Sequence, residues 1–184
     1  MNFTSVKGKN PFYIIFGIIA FFLAVCLIFK PVMKWFYPVN YIDEIKKYSN
    51  QYNLDKHLLM AIISAESKFD EDAVRRKNAK GLMQLKEETA RWCMEQFKIE
   101  EDNKDIYDPD LNIHLGCAYM RYLLDKFSSD THIALAAYNA GEGNVTKWLN
   151  NQEDKTGLDT IPFKETENYV KTVENRTKIY KFLY

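Results

Sequence analysis

The sequence predicts an all-α chain in which one N-terminal membrane-spanning helix precedes a single helical domain. Three observations carry this. Phe12 to Phe29 is an unbroken, uncharged apolar run of 18 residues, about the lower limit for crossing a hydrocarbon core. Beyond it, apolar residues recur at spacings of three and four rather than in alternation. Finally, no alternating strand of convincing length, no repeat and no low-complexity segment occurs. A length of 184 residues gives room for one domain plus an appendage, and 47% apolar content is ample for a core.

Taken in order, residues 1–11 form a short tail and residues 12–30 a membrane anchor. Lys7 and Lys9 precede the apolar run, Lys30 and Lys34 follow it, and Trp35, Phe36 and Tyr37 supply interfacial aromatics. Signal peptides have a shorter apolar region ending in small residues. Leu23-Ala24-Val25-Cys26 approximates a lipoprotein processing box, but Val25 stands where a small residue is expected and the run continues past Cys26. An uncleaved signal anchor is therefore expected. Two lysines on each side leave its orientation undecided by charge.

Pro31 and Pro38 punctuate a connector over residues 31–40, and the domain occupies 41–184. Ile42, Ile45 and Tyr48 share a helical face. Asn53 or Asp55 caps the next helix, whose Leu58, Leu59, Ile62 and Ile63 lead to Glu66. Asp70 to Lys80 is charged and loop-like. Glu87 to Lys98 is helical, with Ala90, Met94 and Phe97 on one face. Asp108-Pro109 signals a turn. Leu111 to Phe127 is a long helix with Leu115, Ala118, Tyr119, Tyr122 and Leu123 inward. Ser129 or Asp130 caps a helix from Thr131 to Tyr138, which Asn139-Ala140-Gly141-Glu142-Gly143 breaks. Val145 to Leu149 begins another, Gln152 to Thr160 is a polar surface loop, and Phe163 to Tyr184 returns to helix.

Formal net charge is zero, which points away from a nucleic-acid partner. The four lysines before residue 38 meet no acid, so the remainder holds 21 basic against 25 acidic residues. A mildly acidic domain gives no electrostatic steering toward an anionic polymer. Cys26, Cys93 and Cys117 form no metal-ligand spacing, and neither do the histidines. No metal and no cofactor is expected. Cys93 and Cys117 read as small buried thiols in helices, and His57, His114 and His132 as structural or exposed.

The chemistry centres on Glu66. An apolar helix ends there, where the negative end of its macrodipole disfavours a carboxylate. Partial burial acts in the same direction, and a general acid working near neutral pH needs both. The competing reading is a first exposed residue after a core helix. Glycosidases usually deploy two carboxylates; Asp70, Asp72, Glu142 and Glu165 are the available partners. Asp70 and Asp72 sit in a charged, solvated run.

The segment Glu66-Ser67, then Gly81-Leu82-Met83-Gln84 and Thr89-Ala90, resembles the catalytic segment of the lytic transglycosylase (SLT) domain family. Ala136-Ala137-Tyr138-Asn139-Ala140-Gly141 and Glu165-Thr166-Glu167-Asn168-Tyr169-Val170 match further motifs in the expected order. The resemblance spans roughly Tyr41 to Val173 and implies a goose-type lysozyme-like helical fold. It also implies cleavage of the MurNAc–GlcNAc β-1,4 linkage of peptidoglycan with 1,6-anhydro ends. One Glu, here Glu66, then serves as acid and afterwards as base. It places Ser67, Gln84, Tyr138, Asn139, Glu165 and Tyr169 at the substrate, with Glu165 and Tyr169 at i, i+4 on one face. It implies glycan strands as partner, membrane contact through residues 12–30, a cell-envelope complex as a further partner, and a domain on the cell-wall side of the membrane.

Three departures qualify it. Arg75 stands where the family often has a serine, Asn78-Ala79 where Gly-Ala is common, and Lys86-Glu87 where an apolar-Pro pair is common. Asn78 tolerates the left-handed conformation that glycine would supply. Arg75 puts a long cation in place of a small hydroxyl; it favours the Glu66 carboxylate if it approaches, and loop position and length favour an outward, solvated side chain instead. Two other readings therefore stay open: a hydrolase that uses water on the same fold, and a silent glycan-binding or scaffolding module.

Overall fold

The computed structural model describes residues 11–74, 78–100, 105–151 and 160–184. The chain divides into an N-terminal unit through Pro38 and a helical unit from Val39 onward. Among the described residues there are eight helices and only isolated β-bridges.

The first unit is helix α1, Pro11–Phe36. Ile15–Phe36 of it, 22 residues, is long and apolar enough to cross a membrane. Its large apolar side chains, from Phe16 to Trp35, are exposed. The sequence places a connector from residue 31, yet the helix runs through Pro31 to Phe36. Proline removes one backbone donor inside a helix, and the apolar residues on both sides of Pro31 continue the helix past that loss.

The second unit is built around α3, Lys56–Glu66. Leu58 to Ile63 is buried without interruption, so this helix is covered all round rather than amphipathic. Asp55 caps it, its carboxylate accepting the His57 amide at 2.9 Å, which settles the choice between Asn53 and Asp55. Before it comes α2, Ile42–Gln51, with Ile45 and Tyr48 buried; after it, α4, Glu87–Phe97, buries Ala90 and Cys93.

Helix α5, Pro109–Lys126, packs against α2, α4 and α6. Asp108 is its N-cap, accepting the Leu111 amide at 3.0 Å, and Pro109 occupies a first-turn position that needs no donor. Asp130, not Ser129, caps α6, Thr131–Ala140, by accepting the Ile133 amide at 3.1 Å. α6 runs two residues past the expected Tyr138. Gly141, at φ 89, then ends α6 and starts α7, Glu142–Asn150. The polar stretch expected to loop from Gln152 lies outside the described residues up to Asp159. Helix α8, Lys164–Leu183, closes the unit with Val170, Val173 and Tyr180 buried.

Cys93 and Cys117 are free buried thiols, and burial alone pushes Cys93 up to about 12. The histidines serve structure: His114 stacks on Tyr48 at 4.3 Å, His57 lies 2.9 Å from Asp55, and His132 lies 2.9 Å from Glu174.

Candidate active site

Glu66 is the last residue of α3, and its half-buried side chain opens onto a cleft of about 1340 Å³. That exceeds the ~300–1,000 Å³ usual for small-molecule pockets and suits an oligomeric ligand. Its walls come from the turn after α3, from α5 and α6, from the α6–α7 junction and from α8.

The turn Gly81–Gln84 is the most constrained part of this wall. Gly81 takes φ 75, and a Cβ there would meet Asn112 Nδ2 at 2.4 Å, so only glycine fits. Asn112, fully buried on α5, accepts the Met83 amide at 2.7 Å and donates to the carbonyls of Ile106 at 2.8 Å and Lys80 at 3.1 Å. Leu82 and Met83 are buried, and Gly116 on α5 leaves the space Met83 occupies.

Gln84 follows at φ 50. Its amide nitrogen donates to the carbonyls of Ala73 and Gly81, both at 2.8 Å. Both donors of the side chain are thereby used within the loop. Its buried Oε1 has no hydrogen-bond partner among the described residues, and the side chain lines the cleft. The side chain thus caps the turn and also lines the cleft.

Tyr138 lines the cleft while its hydroxyl donates to the Met83 carbonyl at 2.8 Å, tying α6 to the same turn. Burial, then the Glu66 charge, raise its pKa far above the phenol range. Tyr169 on α8 lies on the other side, shifted upward by burial, then by the charge and hydrogen-bonding reach of Glu66. The Tyr169 hydroxyl is buried, and Glu66 lies within its hydrogen-bonding reach. Both phenols stay protonated at any working pH.

Asn139 accepts the buried Thr166 hydroxyl at 2.8 Å, which joins the end of α6 to α8 at the cleft floor. Glu165 is exposed at the rim and shares the cleft with Tyr169, as their spacing requires.

Ser67 differs from the expectation of a substrate contact. It is buried, its hydroxyl donates back to the Ile63 carbonyl at 3.3 Å, and it does not line the cleft. As the residue closing α3, it spends its polar groups on the last turn of that helix.

Of the four partner carboxylates, Asp70 and Asp72 are exposed and away from the cleft. Glu142 lines it, but its Oε2 is held by the Tyr122 hydroxyl and the Lys126 ammonium, each at 2.8 Å. Asn78 takes φ 59, the left-handed conformation expected of it. Arg75 lies outside the described residues.

Residues that the motifs did not single out are Thr172 and Arg176, with Glu88 and Tyr119 on the opposing walls. The signal for the first two was the helical stripe Glu165–Tyr169–Thr172–Arg176, spaced 4, 3 and 4.

The transglycosylase SLT domain family profile matches residues 43–161. The soluble lytic murein transglycosylase of Escherichia coli K12 is 32% identical over 152 residues, covering 79% of this chain and 24% of that protein. Membrane-bound lytic murein transglycosylase C of Pectobacterium atrosepticum is 29% identical over 127 residues, covering 62% of this chain and 35% of that one. The X-ray structure of an inactive glutamate-to-glutamine mutant of lytic transglycosylase Slt from Pseudomonas aeruginosa superposes with a TM-score of 0.73 at 33% identity. That match covers 79% of this chain and 24% of the solved one. This chain thus spans about a quarter of the length of the soluble relatives, and the shared part holds Glu66, the Gly81–Gln84 turn and the Tyr138-Asn139 pair. The chain belongs to the transglycosylase SLT domain family.

Proposed function

We propose that this chain is a membrane-anchored lytic transglycosylase that cuts the MurNAc–GlcNAc linkage of peptidoglycan. The observation that carries the reading is the position of Glu66 in an oligomer-sized cleft between two protonated phenols, Tyr138 and Tyr169. Glu66 protonates the glycosidic oxygen as the C1–O bond breaks. The muramic C6 hydroxyl then attacks C1, and its proton passes to the Glu66 carboxylate. The acid is regenerated and the 1,6-anhydro ring closes without an activated water.

One carboxylate suffices for this sequence of transfers, and Glu142 is already committed to Lys126 and Tyr122. Gln84, whose side chain lines the cleft, contacts a sugar in this reading. The Tyr169 hydroxyl is placed to donate to the Glu66 carboxylate formed after the first transfer.

The anchor is α1, whose exposed apolar surface suits lipid. The helical domain then faces the cell wall, where its substrate is. A relative named as membrane-bound supports the anchor, not its orientation.

Digestion of purified sacculi followed by mass spectrometry tests the reading. Anhydro-ended muropeptides from the wild-type chain, and none from Glu66→Gln, are expected. Reducing ends alone would assign a hydrolase, and no cleavage by either protein would assign a glycan-binding module.

A further inference from the structure

Among the described residues, six charged side chains line the cleft: the carboxylates Glu66, Glu88, Glu142 and Glu165 and the cations Lys86 and Arg176. Lys86 is paired with Glu88 at 3.7 Å, and Glu142 with Lys126 at 2.8 Å. Arg176 is different. Its Nη1 donates to the Ser64 hydroxyl at 3.0 Å, and it forms no ion pair with any described residue.

A guanidinium carries five N–H donors in a rigid planar fork. Ser64, a neutral acceptor, takes one of them and orients the group without neutralising it. The remaining donors belong to a half-buried cation on the cleft wall, eleven residues along the stripe from Glu165 and seven from Tyr169. A partly buried charge is screened less than a solvated one. The planar fork fits a carboxylate through two parallel hydrogen bonds, which a lysine ammonium does not reproduce.

The proposed substrate carries such groups. The muramic lactyl carboxyl is free where the stem peptide is absent, and the peptide brings carboxylates of its own where it is present. In a domain that is otherwise mildly acidic, a cleft cation with no ion pair among the described residues has a defined use.

We propose that Arg176 is a specificity-determining residue that binds a carboxylate of the glycan substrate, with Ser64 holding the guanidinium in position. This rests on the proposed glycan substrate but not on the chemistry at Glu66. The rival role is a clamp that merely holds α8 against α3 through Ser64.

The test is binding by the full chain in detergent, carrying Glu66→Gln so that turnover plays no part. Three probes are titrated: peptide-free GlcNAc–MurNAc oligomers, the same oligomers with stem peptides, and chitotetraose, which has no carboxylate. Arg176→Gln should weaken binding of a carboxylate-bearing probe by roughly 10- to 100-fold. Chitotetraose binding should stay within about twofold. Arg176→Lys keeps the charge but not the fork and should fall between the two.

Loss on the peptide-free oligomer assigns the lactyl carboxylate; loss confined to the peptide-bearing one assigns the stem peptide. Equal weakening of all three probes, or none, overturns the proposal. So does an equal loss on all probes from Ser64→Ala, which would mark the pair as a clamp. A selective loss in a chain that releases no anhydro products would sustain this role of Arg176 while removing the transglycosylase reading.

Discussion

Asn112 on α5 accepts the Met83 amide at 2.7 Å, so a side chain 29 positions further along the chain sets the turn that carries Gln84. Its amide also donates to Lys80 and Ile106. Asn112→Leu removes all three bonds and leaves the Met83 amide and the Ile106 carbonyl buried without theirs, while the Lys80 carbonyl keeps the Leu85 amide. Each such group costs about 1–3 kcal/mol, and partial relaxation brings the expected total to about 3 kcal/mol. Urea unfolding measures it, and glycan cleavage should fall in parallel because Gln84 and the Tyr138 partner Met83 both shift. Full stability with full activity in this variant would remove Asn112 from the site's support.

Gly81 presses against the same amide. Alanine there would adopt φ 75 and place Cβ 2.4 Å from Asn112 Nδ2. Strain at positive φ and overpacking together should cost about 2–4 kcal/mol. The two sites are in contact, so their effects should not add. Gly81→Ala is expected to cost less in an Asn112→Ala background, where the clashing atoms are gone. A double-mutant cycle by urea unfolding reads the coupling directly, and simple additivity would contradict the packing described.

Tyr169→Phe separates support from chemistry. The hydroxyl is buried without a well-formed protein bond, so its loss should change stability by less than about 1 kcal/mol. A donor facing a charged acceptor is worth more, and kcat on purified glycan strands should drop about 10-fold. Burial and the Glu66 charge keep this phenol protonated, so the drop should be the same across the neutral pH range. A loss of stability without loss of rate would make Tyr169 a packing residue only.

Asp55 supplies a pH-dependent element outside the cleft. Burial opposes its ionisation, but the Lys181 ammonium at 2.7 Å and the His57 donors outweigh that and hold the carboxyl below its usual range. A depressed folded-state pKa stabilises at pH above the unfolded value, near 4, and that stability is lost as pH falls through the folded value. Asp55→Asn keeps a capping side chain and removes only the charge. Its deficit should be about 0.5 kcal/mol at pH 7 and vanish as pH falls below about 4. Thermal unfolding across pH checks this, and a deficit constant down to pH 3 would show that the cap, not the charge, matters.

The helices were legible because their signals are local. Leu58, Leu59, Ile62 and Ile63 read as core from their spacing, and Asp55, Asp108 and Asp130 act as caps within three positions of the amides they serve. The run from Phe12 to Phe29 declares its own solvent preference. Glu66, Gln84, Tyr138, Asn139, Glu165 and Tyr169 could be named because each sits in a short motif, and the structure brings all six to one cleft.

What the motifs could not decide is how each side chain spends its hydrogen bonds, since that depends on partners far along the chain. Ser67 turns back onto its own helix. Gln84 donates to both Ala73 and Gly81. Tyr138 reaches 55 positions back to Met83. Asn112 lies outside the motifs and Arg176 at the end of a helical stripe, and only packing reveals one as the support of the turn and the other as a cleft cation with no ion pair among the described residues. Helix formation is fixed by neighbours a few residues apart. A site is fixed by contacts whose sequence separation ranges up to the 112 residues between Ser64 and Arg176, and these exist only once α8 has docked.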